Sequence, residues 1–314
     1  MADIDMTTWQ GRIDPEPDSL RWHQHILPLN DGAEMAPGVA LLGFASDAGV
    51  LRNHGRPGAA QGPQALRRAL ANLALHRSGP VYDAGDIHCH GDELESAQEA
   101  LGERVSALLE GGHFPLVLGG GHEVAFGSWL GLARYLGQRD PAPRLGIINF
   151  DAHFDLRDPA TVRSSGTPFA QIAEQCEARG WSFRYACLGV SRAGNTRALF
   201  QRAQALDVMV REDHEMTETH LMSVAQDLER FIQTCDHLYL TIDLDVLPAC
   251  EAPGVSAPAA RGVSLSLLEP LIEIVRDSGK LRLTDFAELN PVYDIDSRTA
   301  RAAARLIHLV TLTG

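Results

Sequence analysis

Between Leu145 and Arg157 the chain reads LGIINFDAHFDLR. An apolar run enters Phe150, and Asp151, His153 and Asp155 then follow at alternate positions. Side chains two apart on an extended chain point to the same side, so two carboxylates and an imidazole converge where a buried strand opens into a loop. That is a metal-ligand pattern, and it constrains the fold, because the strand end that bears it must face a shared site.

Two other runs end in the same way. LYLTIDLD, from Leu238 to Asp245, closes on Asp243 and Asp245, again two apart, and Phe114 to Leu118 runs into three glycines and His122. In parallel α/β sheets, ligands sit outside the carboxyl ends of the strands. The pooled set is His122, Asp151, His153, Asp155, Asp243 and Asp245. Four carboxylates at close range disfavour one another's ionisation, and two divalent cations would cancel them. A lone Asp at a strand end is most often a capping or solvated residue. A D-x-H-x-D after one buried strand and a D-x-D after another are not explained that way. Oxygen and imidazole ligands without thiolates suit a hard to borderline ion, with Mn²⁺, Zn²⁺, Fe²⁺ and Co²⁺ all compatible.

From Val39 onward, strand and helix alternate about eight times. Strands are expected at 39–44, 81–87, 114–118, 145–150, 183–189, 208–210, 238–242 and 281–286, with helices between them and a last helix from about Ser297. This order predicts a mostly parallel sheet with helical crossovers. Periodicity alone leaves an open three-layer sandwich and an eight-stranded barrel equally available. Residues 1–37, with Pro15, Pro17, Pro28 and Pro37, read as an N-terminal arm with at most a short helix around Trp22. Residues 38–314 read as a single domain, without internal repeat or linker.

Composition narrows the function classes. No apolar run approaches a membrane span, and MADIDMTTWQ has no basic region followed by an apolar core. The five cysteines contain no C-x-x-C pair, which suits free thiols in a reducing cytoplasm. A net charge of -14 argues against a nucleic-acid surface. The expected partner is a small-molecule substrate, with neither nucleic acid nor membrane.

GGGHE at 119–123, FDAHFDL at 150–156, TIDLDVL at 241–247 and FAELNP at 286–291 resemble the signature blocks of the ureohydrolases, the arginase and agmatinase superfamily. Within it, SSGTPF, LGVSRAGNT and VLPACEAPGVSAPAARGV look most like the formimidoylglutamase family. The resemblance implies the open α/β/α sandwich and selects manganese, two Mn²⁺ per subunit. It implies that Asp151 and Asp243 bridge the ions, with His122 and Asp155 completing one sphere and His153 and Asp245 the other. It further implies a metal-activated hydroxide that Asp155 accepts a hydrogen bond from, and Glu288 as the acid gripping a cationic amidine. The implied reaction takes N-formimidoyl-L-glutamate and water to L-glutamate and formamide, a step of histidine degradation, and the implied assembly is a homo-oligomer.

One position departs from the superfamily. Where arginases and agmatinases usually carry a histidine before the glycine of SSGTPF, this chain has Ser165, so the general acid is open. A substrate with two carboxylates calls for guanidinium forks. Arg56, Arg163, Arg192 and Arg261 qualify by loop position, Arg56 and Arg261 foremost, with Asn195 and Ser191 assisting. Glu123 reads as an acid favoured by a helix N-terminus, and His88 and His90 beside Cys89 as non-ligands. The competing readings are a ureohydrolase acting on agmatine or guanidinobutyrate and a metal-stabilised scaffold without turnover. Deacetylase-like amide hydrolysis would want an adjacent His-His pair, which the chain lacks.

Overall fold

Near-continuous apolar runs build a sheet with two buried faces. In the computed structural model, which describes residues 4–30 and 32–312, nine strands form one sheet. They are β1 (Leu27–Pro28), β2 (Val39–Ala45), β3 (Val81–His88), β4 (Phe114–Leu118), β5 (Leu145–Phe150), β6 (Arg184–Val190), β7 (Met209–Glu212), β8 (His237–Asp243) and β9 (Leu281–Ala287). Their order is β1-β3-β2-β4-β9-β8-β5-β6-β7, and every pairing is parallel. Eight strands match the expected segments, and the ninth is the two-residue edge strand β1.

The period of two decides which layer each strand residue meets. On β2, Val39 and Leu41 join one core, and Ala40, Leu42 and Phe44 the other. The first core is closed by α3 (Gly62–Ala71), α8 (Leu221–Gln233), α9 (Leu265–Asp277) and α10 (Arg298–Thr311). The second is closed by α4 (Leu94–Glu110), α5 (Val124–Gly137), α6 (Pro168–Arg179) and α7 (Arg197–Ala205). The result is a three-layer α/β/α sandwich with an open sheet. Among the described residues, no helix is long and apolar enough to cross a membrane.

The N-terminal stretch packs on the first layer. Helix α1 (Trp22–His25) forms where a short helix is expected. Trp9 and Trp22 are buried in the first core, and Trp9 Nε1 donates to Asp83 Oδ2 at 2.7 Å. Asp83 also receives the buried Arg67 through two N–H groups, at 2.8 and 2.9 Å. The glycine-rich stretch after β2 contains the short α-helix α2 (Ala48–Arg52) and a 3-10 turn at Ala59–Gln61.

Register aligns the strands that matter. Leu118, Phe286, Ile242 and Phe150 lie in one row across β4, β9, β8 and β5, all fully buried. The residues that follow this row emerge together at one edge of the sheet.

Candidate active site

The glycines after β4 let that loop lie flat on its neighbours. Gly119 N–H donates to the Phe286 carbonyl at 2.7 Å and Gly121 N–H to the Ser46 carbonyl at 3.0 Å. A Cβ on Gly120 would stand 1.9 Å from the Ser46 carbonyl oxygen, so no larger residue fits there. The close approach places His122 in the interior, 1% exposed.

His122 Nδ1 faces three carboxylates at once: Asp151 Oδ2 at 3.1 Å, Asp155 Oδ2 at 2.9 Å and Asp243 Oδ2 at 3.1 Å. None of the three contacts has hydrogen-bond geometry. Its Nε2 lies 3.0 Å from Thr241 Oγ1. His153 Nδ1 lies 3.0 Å from Asp245 Oδ2 and 3.6 Å from Asp151 Oδ1. Two groups therefore form, His122 with Asp151, Asp155 and Asp243, and Asp151 with His153 and Asp245. Within each, the candidate ligand atoms lie within 4.8 Å of one another. Asp151 is common to both.

Neighbouring groups hold these side chains in place. Asp151 accepts from Asn149 Nδ2 at 2.9 Å and from the His153 N–H at 2.6 Å. Asp243 Oδ1 accepts the Asp245 N–H at 2.8 Å. Asn195 donates to the carbonyls of Ala152 and Ser191, at 2.9 and 2.8 Å, and accepts the Phe154 N–H at 3.1 Å. Asp155 and Glu288 both adopt left-handed backbone, with φ of 47° and 70°, a costly conformation for residues with a Cβ.

Charge in this interior is unbalanced without cations. Burial, reinforced by the charge of Asp151, pushes Asp155 up to about 6. Burial followed by the charges of Asp245 and Asp151 raises Asp243 well above the carboxylate range. For Asp151 burial works upward too, but His122 and His153 outweigh it and hold the carboxyl below its usual range. Burial opposes a charged His122, yet its three carboxylates raise it well above an ordinary imidazole. The Asp245 charge chiefly raises His153. Oxygen and imidazole donors that must borrow protons to coexist are the donors a pair of divalent cations would satisfy.

Glu288 closes the floor. Its N–H donates to the Gly120 carbonyl at 2.8 Å, its Oε1 accepts the His122 N–H at 2.9 Å, and its buried Oε2 has no partner. Burial, then the Glu123 charge, pushes it up to about 8. Glu123 does sit at the start of α5, but its carboxylate does not cap that helix. It accepts from Ser46 Oγ at 2.8 Å and the Gly49 N–H at 2.9 Å, and burial raises it to about 7.

A cavity of about 320 Å³ opens over this floor and is lined by His153, Asp155, Asp243, Asp245 and Glu288. Arg56 and Asn195 line it too. The Arg56 guanidinium is fixed by the Ser256 carbonyl at 2.9 Å and the Val255 carbonyl, and it lies 3.9 Å from the Tyr293 ring centroid.

Arg192 and Arg261 are not among the lining residues. Arg192 is drawn outward into an ion pair with Glu212 and over Phe200, and Arg261 is exposed on the loop after the D-x-D pair. Arg163 borders a separate cavity beside α4 and α5. Ser191 contributes its carbonyl to Asn195. His88 and His90 stack on each other and belong to neither candidate ion group.

The lining includes residues that sequence reasoning passed over. Arg157 makes no side-chain hydrogen bond or ion pair with the described residues, and it stands in the cavity wall with Asn53, His54 and Ser165. Its signal was available, since 151, 153, 155 and 157 continue a single period of two. Asn53 Nδ2 donates to Ser165 Oγ at 3.2 Å.

The sequence model of the arginase family matches residues 37–313. The chain is 59% identical over 307 residues to a formimidoylglutamase of Aeromonas hydrophila, covering 97% of each protein. It is 55% identical over 309 residues to that of Ralstonia nicotianae, covering 98% of this chain and 95% of the relative. Among solved structures, Trypanosoma cruzi formiminoglutamase with Mn2+2 superposes with a TM-score of 0.77 at 27% identity, covering 88% of this chain and 93% of that one. Bacillus subtilis formimidoylglutamase shares the fold, with a TM-score of 0.83 at 22% identity, covering 96% and 94%.

Proposed function

The chain belongs to the arginase family, and we propose from that premise that it hydrolyses N-formimidoyl-L-glutamate to L-glutamate and formamide using two Mn²⁺ ions. The observation that carries this reading is one cavity lined by four of the six candidate ion ligands, with the other two buried beneath them and two guanidinium groups in its wall. The near full-length identity to formimidoylglutamases supports the substrate.

His122, Asp151, Asp155 and Asp243 would hold one cation, and Asp151, His153 and Asp245, with Asp243 beside them, the other. When bound, such a pair supplies hydroxide at neutral pH by acidifying a shared water. Asp155 accepts a hydrogen bond from the attacking hydroxide and so orients it. Glu288 offers its free Oε2 to the amidinium, whose positive charge favours the ionised carboxylate. Arg157 and Arg56 receive the substrate carboxylates. Asn195 acts chiefly through the loop it braces, because both N–H groups of its amide are already engaged.

Residues 38–314 serve as one catalytic domain, onto which Trp9 and Trp22 dock the N-terminal segment. Five unpaired thiols suit the cytoplasm, and the family resemblance points to a homo-oligomer.

The test is hydrolysis by Mn²⁺-loaded protein of N-formimidoyl-L-glutamate, agmatine, guanidinobutyrate and arginine in parallel, with Asp243→Ala as control. Formamide and glutamate should appear from the first substrate alone and disappear in the variant. Urea from a guanidino compound would keep the metal chemistry and overturn the substrate.

A further inference from the structure

Three polar side chains lie inside the sheet, beneath the ion groups, with no part in the reaction. Tyr239 and Thr241 on β8 and Asp285 on β9 are fully buried, on two strands at the middle of the sheet, where a carboxyl group is costly to desolvate. Thr241 and Asp285 are register partners, and Tyr239 stands two residues before Thr241 on the same face. The Tyr239 hydroxyl donates to Asp285 Oδ2 at 2.5 Å, and Asp285 Oδ1 is buried without a partner. On the other side of Thr241, His122 Nε2 lies 3.0 Å from Oγ1. We propose that Asp285, acting through the Thr241 hydroxyl, positions His122 with Nδ1 unprotonated, a reading that rests on the two-cation site assigned above. Asp285 thereby sets the affinity of the ion group that contains His122.

The direction of each hydrogen bond follows from the donors. His122 Nδ1 faces Asp151, Asp155 and Asp243, so it is the nitrogen turned toward a cation, and the ring proton belongs on Nε2. Thr241 Oγ1 then accepts from Nε2–H, and its own proton needs an acceptor. A hydroxyl by itself both accepts and donates, and would serve either tautomer. An ionised carboxylate only accepts. With Asp285 Oδ1 across the strand pair, the Thr241 proton turns to it, and the hydroxyl meets the ring as an acceptor. Burial raises the Asp285 carboxyl, and the Thr241 and Tyr239 hydroxyls act against it, as donors to a carboxylate do.

Other contacts place the ring without choosing its proton. Phe169 meets it edge-on, with 5.4 Å between centroids and 78° between planes, and Glu288 accepts the backbone N–H. For an imidazole that binds a metal through one nitrogen, an acceptor on the other fixes the ring and raises its basicity. Among the ligand side chains, Thr241 Oγ1 hydrogen-bonds His122 alone, so one ion group depends on this chain and the other does not.

The experiment is calorimetric titration of metal-free full-length protein with Mn²⁺, for the unsubstituted chain and for Thr241→Val, Asp285→Asn and Thr241→Ser. Valine keeps the shape of threonine without the hydroxyl, asparagine keeps the shape of aspartate without the charge, and serine keeps the hydroxyl. In the valine and asparagine variants one Mn²⁺ equivalent should bind about 10- to 100-fold more weakly, the scale for losing the partner behind a ligand. The other equivalent should stay within about twofold, the scatter of independent sites, and Thr241→Ser should bind both as the unsubstituted protein does. His122→Ala, which removes the ligand itself, should leave a single equivalent, and adding Asp285→Asn to it should not change that affinity. Unchanged affinity in either variant, an equal weakening of both equivalents, a loss that Thr241→Ser shares, or a further loss in the double variant would overturn the assignment. Fewer than two equivalents in the unsubstituted protein would instead remove the two-cation reading, and the positioning role with it.

Discussion

Glu288 accepts the backbone N–H of His122 at 2.9 Å, so the acid at the end of β9 and the imidazole at the end of β4 are held by one bond. The same residue returns its own N–H to Gly120. One carboxylate oxygen is structural, and the other is free to meet a cation.

Glu288→Gln separates these roles, because an amide oxygen still accepts from His122 while the negative charge is gone. Activity, read as kcat/KM, should fall about 10²-fold, the scale of losing the charge from a buried ionic contact, with bound manganese unchanged by elemental analysis. Parental activity in this variant would remove Glu288 from substrate recognition.

Stability of the metal-free protein should decline as pH rises from 5 to 8. Glu288, Glu123 and Asp155 hold protons in the fold up to about 8, 7 and 6, whereas unfolded carboxyls release theirs near 4.5 and 3.8. The folded state therefore binds more protons across this window, and its stability drops with rising pH. The raised His122 and His153 act in the same direction, stabilising below the unfolded value of 6.5 and losing that effect as pH climbs through their folded values. Asp151, held low, is ionised in both states here and adds no slope. Manganese binds deprotonated carboxylates and neutral imidazoles, so loading should remove the share of the decline that Asp155, His122 and His153 contribute. Thermal melts with and without chelator measure both arms, and a metal-free Tm that rises from pH 5 to 8 would contradict the charge balance.

Arg157→Ala should raise KM for N-formimidoyl-L-glutamate about 10- to 100-fold, the range for hydrogen bonds to a charged group, with little change in kcat. Arg192→Ala and Arg261→Ala, whose side chains lie outside the cavity lining, should leave both constants at parental values. Steady-state kinetics on the three variants decides which guanidinium the carboxylates use.

The contrast among these arginines marks how far the sequence is legible. Asp151, His153, Asp155, Asp243 and Asp245 are readable because a period of two carries over from buried strands whose register the apolar pattern sets. Arg192 and Arg261 sit on loops, where position depends on partners such as Glu212 and Phe200 that no local pattern announces. The same reason hides β1, whose two exposed residues pair with β3 from 55 positions away, and the burial of Trp9, whose indole finds Asp83 across 74 residues. Helix α2, at five residues, is too short for periodicity to register. The three-layer architecture follows from strand and helix order only once the barrel is set aside, and the family resemblance makes that choice.

Strand β9 is the last of the sheet to be synthesised, yet it lies between β4 and β8. As the chain emerges from its amino end, β1 to β4 and β5 to β8 exist before anything can join them. The first half carries His122, and the second carries the five other ion ligands. Until Leu281 to Ala287 are out, each half presents an unpaired inner edge, the kind of surface that invites wrong pairing, and the second half carries only the Asp151, His153 and Asp245 group. The ion group that contains His122 must therefore wait for β9, and a nascent chain stopped before it carries both halves of a catalyst that cannot close.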